Sequence, residues 1–302
     1  MSRILFIGAT QMATRILAMP QLAFDKDVIY ATLAPDDAKG ICDYRLPPCN
    51  IDGAIIPYSV DAIKSSKPDL ILVVGWSSLI PPEVLAIPPR GTVCFHAAKL
   101  PDYRGRAPIP HTILHDLGYT EMTMFYADEK ADSGDIIASK GFYVGYKDDA
   151  GTLYEKHTKA IIALLDEHLD GLLAGTAPRR KQEGDGEWWE KRTPEMGEID
   201  WTDQPLRLIR ALTKPYPGAF TYWKGRKFWI WKADEIVNSD HNLAHFNEGE
   251  ILAFDEIGGA IIMGENDILL TASETQDGEV IPAYELAMKW GMKAGDKLGR
   301  QQ

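Results

Sequence analysis

The 302-residue sequence predicts a doubly wound α/β domain followed by a small antiparallel β-barrel, and three observations carry that prediction. Short apolar runs alternate with helix-like segments through the first hundred residues. The fourth run, Leu70-Ile71-Leu72-Val73-Val74-Gly75-Trp76, is apolar throughout, as in a parallel strand covered on both faces. Beyond residue 200, short strands follow one another across glycine-bearing turns, the spacing of a small barrel.

In chain order, 3–9, 27–33, 54–58, 70–76 and 92–96 read as strands, with 10–19 and 59–66 as helices between them. Pro68 and the pairs Pro81-Pro82 and Pro88-Pro89 mark breaks. Next come a helix over 107–118 and strands over 121–128 and 135–145. Residues 152–174 form a long amphipathic helix, with Leu153, His157, Ala160, Ile161, Leu164, Leu165 and Leu169 at helical spacing. The polar, glycine-bearing stretch from 176 to 200 reads as a connector. A short helix near 205–213 precedes strands near 219–224, 227–237, 249–255, 259–264 and 267–274, with turns at Lys224-Gly225, Gly258-Gly259 and Glu265-Asn266. The implied division is 1–180, a linker over 181–200, and 201–302.

Composition narrows the function classes. With 45% hydrophobic and 25% charged residues, the chain has the material for a packed core. The formal charge of −12 disfavours non-specific nucleic-acid binding. No apolar window is long enough to span a membrane, and Met1-Ser2-Arg3 leads straight into a strand pattern, so a cytoplasmic protein without a membrane partner is expected. The three cysteines, Cys42, Cys49 and Cys94, lack metal-site spacing.

Open α/β sheets carry their chemistry at the carboxyl ends of the strands. Gly8-Ala9-Thr10 follows the first strand, but Thr10 and Ala13 stand where a dinucleotide fingerprint needs glycines, so this turn borders a ligand at most. His96 ends the fifth strand. An irregular loop with two arginines follows it, and Lys130-Ala131-Asp132-Ser133-Gly134-Asp135 offers carboxylates. A histidine oriented by a carboxylate is a general acid/base near neutral pH. His111 and His115 lie four apart without the adjacent glutamate of metalloprotease helices, so no metal is expected. Trp188, Trp189, Trp201, Trp223, Trp229 and Trp231 suit packing of the barrel walls better than base stacking. Tyr222 and Trp223 border an accessory nucleotide or an interface in the alternative reading. Arg179-Arg180-Lys181 reads as a solvated linker cluster.

Taken together, Cys94-Phe95-His96, Ala98-Lys99-Leu100-Pro101, Arg104-Gly105-Arg106-Ala107-Pro108 and Asp132-Ser133-Gly134-Asp135 resemble the signature of the 10-formyltetrahydrofolate-dependent formyltransferases. His96 and Asp132 lie 36 positions apart, as in that family. The likeness continues through Ile199-Asp200-Trp201, Leu208-Ile209-Arg210-Ala211 and Pro215-Tyr216-Pro217-Gly218-Ala219-Phe220, which look like the family's lead into an OB-type barrel. The resemblance implies a Rossmann-like catalytic domain and 10-formyltetrahydrofolate as co-substrate. Among the branches, the chain looks most like the sugar N-formyltransferases, in particular the domain acting on UDP-4-amino-4-deoxy-L-arabinose. The expected partner is then a sugar nucleotide from polysaccharide or glycan biosynthesis, with no nucleic acid and a homodimer as the assembly to test. Methionyl-tRNA formyltransferase is the runner-up.

The resemblance makes His96 the acid/base and Asp132 its support. It places Gly75, Trp76, Ser77, Leu100, Pro101, Lys130 and Ala131 beside the folate, and Gly8, Thr10, Lys99, Arg104, Gly105 and Arg106 beside the acceptor. Arg104 and Arg106 suit folate carboxylates or a nucleotide phosphate, the competing reading being bonds to backbone carbonyls. Formyl transfer to nitrogen builds negative charge on the formyl oxygen, which the family meets with an asparagine amide. Here that position is Cys94, whose S–H is a weak donor. Protonated His96 takes over the role, or Ser77 or Lys99 supplies a donor, or the protein is an impaired relative that still binds ligands. Cys94 as a covalent nucleophile is the least favoured reading.

Overall fold

A computed structural model describes residues 2–19, 27–33, 37, 44–45, 55–236, 247–254, 258–263 and 268–300. Cys42, Cys49 and the Glu265-Asn266 turn lie outside these residues, as do the margins of several expected strands. Contacts divide the chain into two units. The first comprises Met1–Thr112, Leu117–Tyr146 and Thr152–Lys191, and the second Ile113–Asp116, Lys147–Gly151 and Arg192–Gln302.

The first unit is built on a seven-stranded sheet. Strands β1 (Arg3–Gly8), β2 (Asp27–Thr32), β3 (Ile55–Pro57), β4 (Leu70–Val74) and β5 (Thr92–His96) run parallel. A short strand β6 (Tyr103–Gly105) lies off the sheet, and β7 (Tyr119–Tyr126) and β8 (Ile136–Tyr143) extend it antiparallel, giving the order β3-β2-β1-β4-β5-β7-β8. All five residues of β4 are buried, as its unbroken apolar run predicts.

The helices follow local signals. In α1 (Gln11–Leu17) the Thr10 hydroxyl caps the Ala13 N–H at 3.3 Å, and in α2 (Val60–Ser66) Ser59 caps Ala62 at 3.2 Å. Pro82, expected to break the chain, opens the one-turn helix α3 (Pro82–Leu85), where a missing N–H costs nothing. Helix α4 (Pro108–Leu114) follows β6, and α5 (Ala150–Ala174) is the long amphipathic helix. Within the expected connector, Glu187–Trp189 form β9, which pairs parallel with β6.

Sheet order reverses between β1 and β4, and their carboxyl ends approach each other closely. A Cβ on Gly8 would lie 2.5 Å from the Ala13 Cβ, and one on Gly75 would lie 2.0 Å from the Thr10 hydroxyl. Gly75 also has φ +60°, so glycine answers both the space and the backbone there. Tyr30 donates to the Gly8 carbonyl at 2.8 Å and fixes the end of β1.

The second unit holds α6 (Pro205–Ala211) and an antiparallel sheet in the order β10 (Ala219–Trp223), β11 (Arg226–Glu235), β14 (Ile268–Thr275), β13 (Ala260–Ile262), β12 (Ile251–Phe254). Strand β15 (Val280–Pro282) pairs with β14 and leads into α7 (Ala283–Trp290). Along β11, Phe228 and Ile230 are buried while Trp229 and Trp231 are half-buried, the alternation expected of a sheet with one packed face.

Candidate active site

Cys94 and His96 sit two residues apart on β5 and therefore project from the same face of the sheet. His96 is buried, and its ring meets two oxygens. Nε2 donates to the Tyr103 carbonyl at 2.8 Å, and Nδ1 lies 3.6 Å from Asp132 Oδ1. The first is a hydrogen bond. The second distance is close enough for charge pairing and too long for a direct hydrogen bond.

Asp132 holds its place through the backbone around it. Its second oxygen accepts the Gly105 N–H at 3.0 Å, and its own φ is +53°, an uncommon conformation for a residue with a side chain. The turn behind it is tight: a Cβ on Gly134 would lie 1.7 Å from the Tyr126 carbonyl oxygen, so that residue has to be glycine. Ser133 donates to Asp128 at 2.6 Å and to the Lys130 carbonyl at 3.1 Å, closing the loop upon itself.

Cys94 packs against Leu100, Phe125 and Ile136. Burial, with a lesser contribution from the Asp132 charge, pushes its thiol up to about 12. The side chain is thus a neutral thiol at physiological pH, which removes the thiolate that a covalent nucleophile needs. Cys94 and His96 share one face of β5, and His96 lies 3.6 Å from Asp132.

The remaining expected residues divide. Gly75 and Thr10 touch at the crevice between β1 and β4, with Gly8 beside them. Trp76 packs on Tyr58, ring centroids 4.4 Å apart, and both the Trp76 indole N–H and the Tyr58 hydroxyl are buried without a hydrogen-bond partner among the described residues. Ser77 and Lys130 are exposed, Leu100 is buried, and Pro101 and Ala131 are half-buried. Lys99 forms an ion pair with Asp102 at 2.7 Å. Gly105 serves through its backbone, since a Cβ there would lie 2.2 Å from the Trp189 carbonyl oxygen. Arg106 is exposed.

For Arg104 the structure shows the loop-fixing bonds. Its guanidinium donates to Gln182 Oε1 from Nε at 3.2 Å and from Nη2 at 2.8 Å, and to the Asp185 carbonyl at 3.1 Å. His111 stacks on Trp189 and its Nε2 is 3.0 Å from the Glu190 carbonyl oxygen, while His115 lies beyond the end of α4. No group of three metal-ligating side chains occurs among the described residues.

Sequence reading missed the contribution of the segment after α5. Arg180 exchanges backbone hydrogen bonds with Ile136, Glu187 N–H donates to the Asp102 carbonyl, and buried Trp189 stacks on Tyr103, the residue that binds His96. Its one visible signal was the Trp188-Trp189 pair inside an otherwise polar stretch.

Comparison with known proteins gives the family. Residues 53–168 match the formyl transferase family and residues 191–290 the C-terminal domain of formyl transferases. A methionyl-tRNA formyltransferase from Halothermothrix orenii is 31% identical over 243 residues, covering 78% of this chain and 77% of the relative. The chain belongs to the formyl transferase family. It is therefore an enzyme that transfers formyl groups. Among solved structures, HypX from Aquifex aeolicus in complex with tetrahydrofolic acid shares the fold with a TM-score of 0.74 at 20% identity, over 98% of this chain and 48% of HypX. This formyltransferase thus spans about half the length of HypX. An N-formyltransferase from Helicobacter canadensis, in complex with folinic acid and dTDP-3-aminofucose, aligns with a TM-score of 0.64 at 15% identity, over 89% of this formyltransferase and 99% of that chain.

Proposed function

We propose that this formyltransferase moves a formyl group from 10-formyltetrahydrofolate to the primary amine of a nucleotide-activated amino sugar. The observation that carries the reading is the His96–Asp132 couple at the carboxyl end of β5, with Nδ1 3.6 Å from the carboxylate. With the Nε2 proton committed to Tyr103, the neutral ring has its free lone pair at Nδ1. Nδ1 is thus the atom that takes a proton from the attacking amine, the cation so formed is flanked by Asp132, and the same proton passes to the folate nitrogen as its bond to the formyl carbon breaks. Cys94 contributes only a weak S–H, and Lys99 is paired with Asp102. The protonated His96 ring is then the cationic donor for charge developing on the acyl oxygen.

The residues around the crevice fit a folate. The Trp76 indole N–H and Tyr58 hydroxyl, without a partner among the described residues, offer donors to the acceptor-bearing edge of a heteroaromatic ring. Gly75, Trp76, Ser77, Leu100, Pro101, Lys130 and Ala131 would hold the co-substrate, which supplies the activated formyl group. Gly8, Thr10, Lys99, Gly105 and Arg106 would face the acceptor, with Arg104 acting through the loop that it ties.

The charge of −12 supports a small acceptor over a polyanionic one. A second reading, formyl transfer to methionyl-tRNA, is favoured by the name and 31% identity of the relative from Halothermothrix orenii. Incubation with 10-formyltetrahydrofolate and either charged tRNA or a panel that includes dTDP-3-aminofucose and UDP-4-amino-4-deoxy-L-arabinose, read by mass spectrometry, decides between them. A product 28 Da heavier than an amino-sugar nucleotide, about the mass of an added CO, is expected, and is lost in His96→Ala. Formylation of methionyl-tRNA alone would overturn the sugar acceptor.

A further inference from the structure

Asp132 faces His96 from a loop whose backbone conformation is uncommon, so something outside the couple has to hold that loop. The Gly105 N–H fixes one carboxylate oxygen at 3.0 Å, but the carboxylate can keep its direction only if the main chain that carries it is fixed as well.

The main chain is fixed from the segment after α5. The Gln182 carboxamide nitrogen donates to the Asp132 carbonyl at 2.9 Å and to the Gly134 carbonyl at 2.8 Å, bracketing Ser133 immediately after the left-handed Asp132. Its oxygen accepts twice from Arg104. One side-chain amide thereby uses both donors and both acceptor positions. It joins the loop of Asp132 to β6, whose first residue, Tyr103, accepts from His96 Nε2 and whose last, Gly105, donates to Asp132. The same segment is held on each side of Gln182, by the Arg180–Ile136 bonds before it and by the β6–β9 pairing after it.

We infer that Gln182 is a positioning residue for formyl transfer, aiming the Asp132 carboxylate at His96 through the two carbonyls that it ties and the Arg104 clamp that it receives. The inference rests on the formyltransferase reading of the His96–Asp132 couple. Glutamine is required by the donor count. Glutamate would keep the acceptor for Arg104 but repel the two carbonyls, and leucine would remove the donor to both carbonyls and leave Arg104 with its carbonyl contacts alone.

The test uses the full chain as wild type, Gln182→Leu, Gln182→Glu, Asp132→Asn, the double variant Gln182→Leu/Asp132→Asn, and Glu183→Ala as an exposed neighbour. Steady-state kinetics with 10-formyltetrahydrofolate and dTDP-3-aminofucose are combined with the melting temperature and the ¹⁵N–¹H NMR signals of the His96 ring. For Gln182→Leu, kcat is expected to fall about 10- to 100-fold, the cost of an orienting group displaced by about an ångström, with KM for either substrate within about threefold. Because Gln182 acts through Asp132, the double variant is expected to be no slower than Asp132→Asn alone. The His96 signals of Gln182→Leu should move toward those of Asp132→Asn, and Glu183→Ala should match wild type. Should Gln182→Leu not fold, Gln182→Glu tests the same two donors. Wild-type kcat and unmoved His96 signals in either Gln182 variant would overturn the proposal, as would losses that multiply in the double variant. If the wild-type protein transfers no formyl group to this or any other amino-sugar nucleotide of the panel, the substrate reading falls, while the NMR comparison still decides the positioning role.

Discussion

At position 94 two costs oppose each other. An amide donor beside a developing oxyanion is worth roughly a hundred- to a thousandfold in rate, whereas an unpaired amide against Leu100, Phe125 and Ile136 costs about 1–3 kcal/mol of stability. The cysteine thiol, pushed up to about 12, remains uncharged and packs as a small apolar group. With the protonated His96 ring carrying the electrostatic role, Cys94→Asn is expected to change kcat by less than about tenfold and to lower the melting temperature. Single-turnover formylation and calorimetry on the variant check both effects. A gain of a hundredfold or more would show that the missing amide limits the natural protein and would remove that role from His96.

Helix α5 is defined by what it buries, and its least expected passenger is His157. The side chain is fully buried, both ring nitrogens lack a hydrogen-bond partner among the described residues, and Phe142 on β8 meets it edge-on at 4.8 Å. Burial, and to a lesser degree the charge of His96, pushes its pKa from the ordinary 6.5 down to about 3. The unfolded chain takes up this proton below 6.5 and the folded protein refuses it until about 3, so the stability is complete above 6.5 and drains away as pH falls between those values. The slope reaches about 1.4 kcal/mol per pH unit. Urea titrations of wild type and His157→Leu at pH 7, 6 and 5 should show the wild-type midpoint falling faster with acid than that of the variant. Equal slopes would locate the acid sensitivity elsewhere. His157 is visible in the sequence as one position of an apolar stripe, because helical period alone fixes which face a residue joins. The same kind of regularity made β1, β4, β5 and α5 legible, while strand-end logic pointed to His96 and the formyltransferase resemblance singled out Asp132 in its loop. The β6–β9 pair was not legible. Each strand has three residues, too few for any period, and their pairing spans more than eighty positions of chain. Gln182 was hidden for the same reason, since a hydrogen-bonded clamp between distant segments leaves no pattern in either one, and for Arg104 the sequence offered loop-fixing bonds to carbonyls without naming the partner Gln182.

Over the whole molecule, the charge of −12 sets a field that separates the two acceptors by their response to salt. The second unit does carry cations next to aromatic rings, the usual equipment for nucleic acid, but several are already engaged. Lys227 sits 3.5 Å above Phe220, Arg226 lies 3.9 Å above Trp290, and Arg300 pairs with Glu198 at 2.8 Å. A tRNA held by six or more phosphate contacts would lose about a thousandfold in affinity between roughly 50 and 200 mM salt, because each contact releases counterions. A nucleotide-linked sugar carries few charges and approaches a protein of its own sign, so screening relieves a repulsion and releases few ions. For the amino-sugar reaction, kcat/KM is therefore expected to stay level or rise modestly as sodium chloride increases over that range. Initial rates at subsaturating acceptor and saturating 10-formyltetrahydrofolate measure it directly. A steep fall with a log–log slope of several units would mean that many cations meet a polyanion, and the acceptor would have to be sought among nucleic acids.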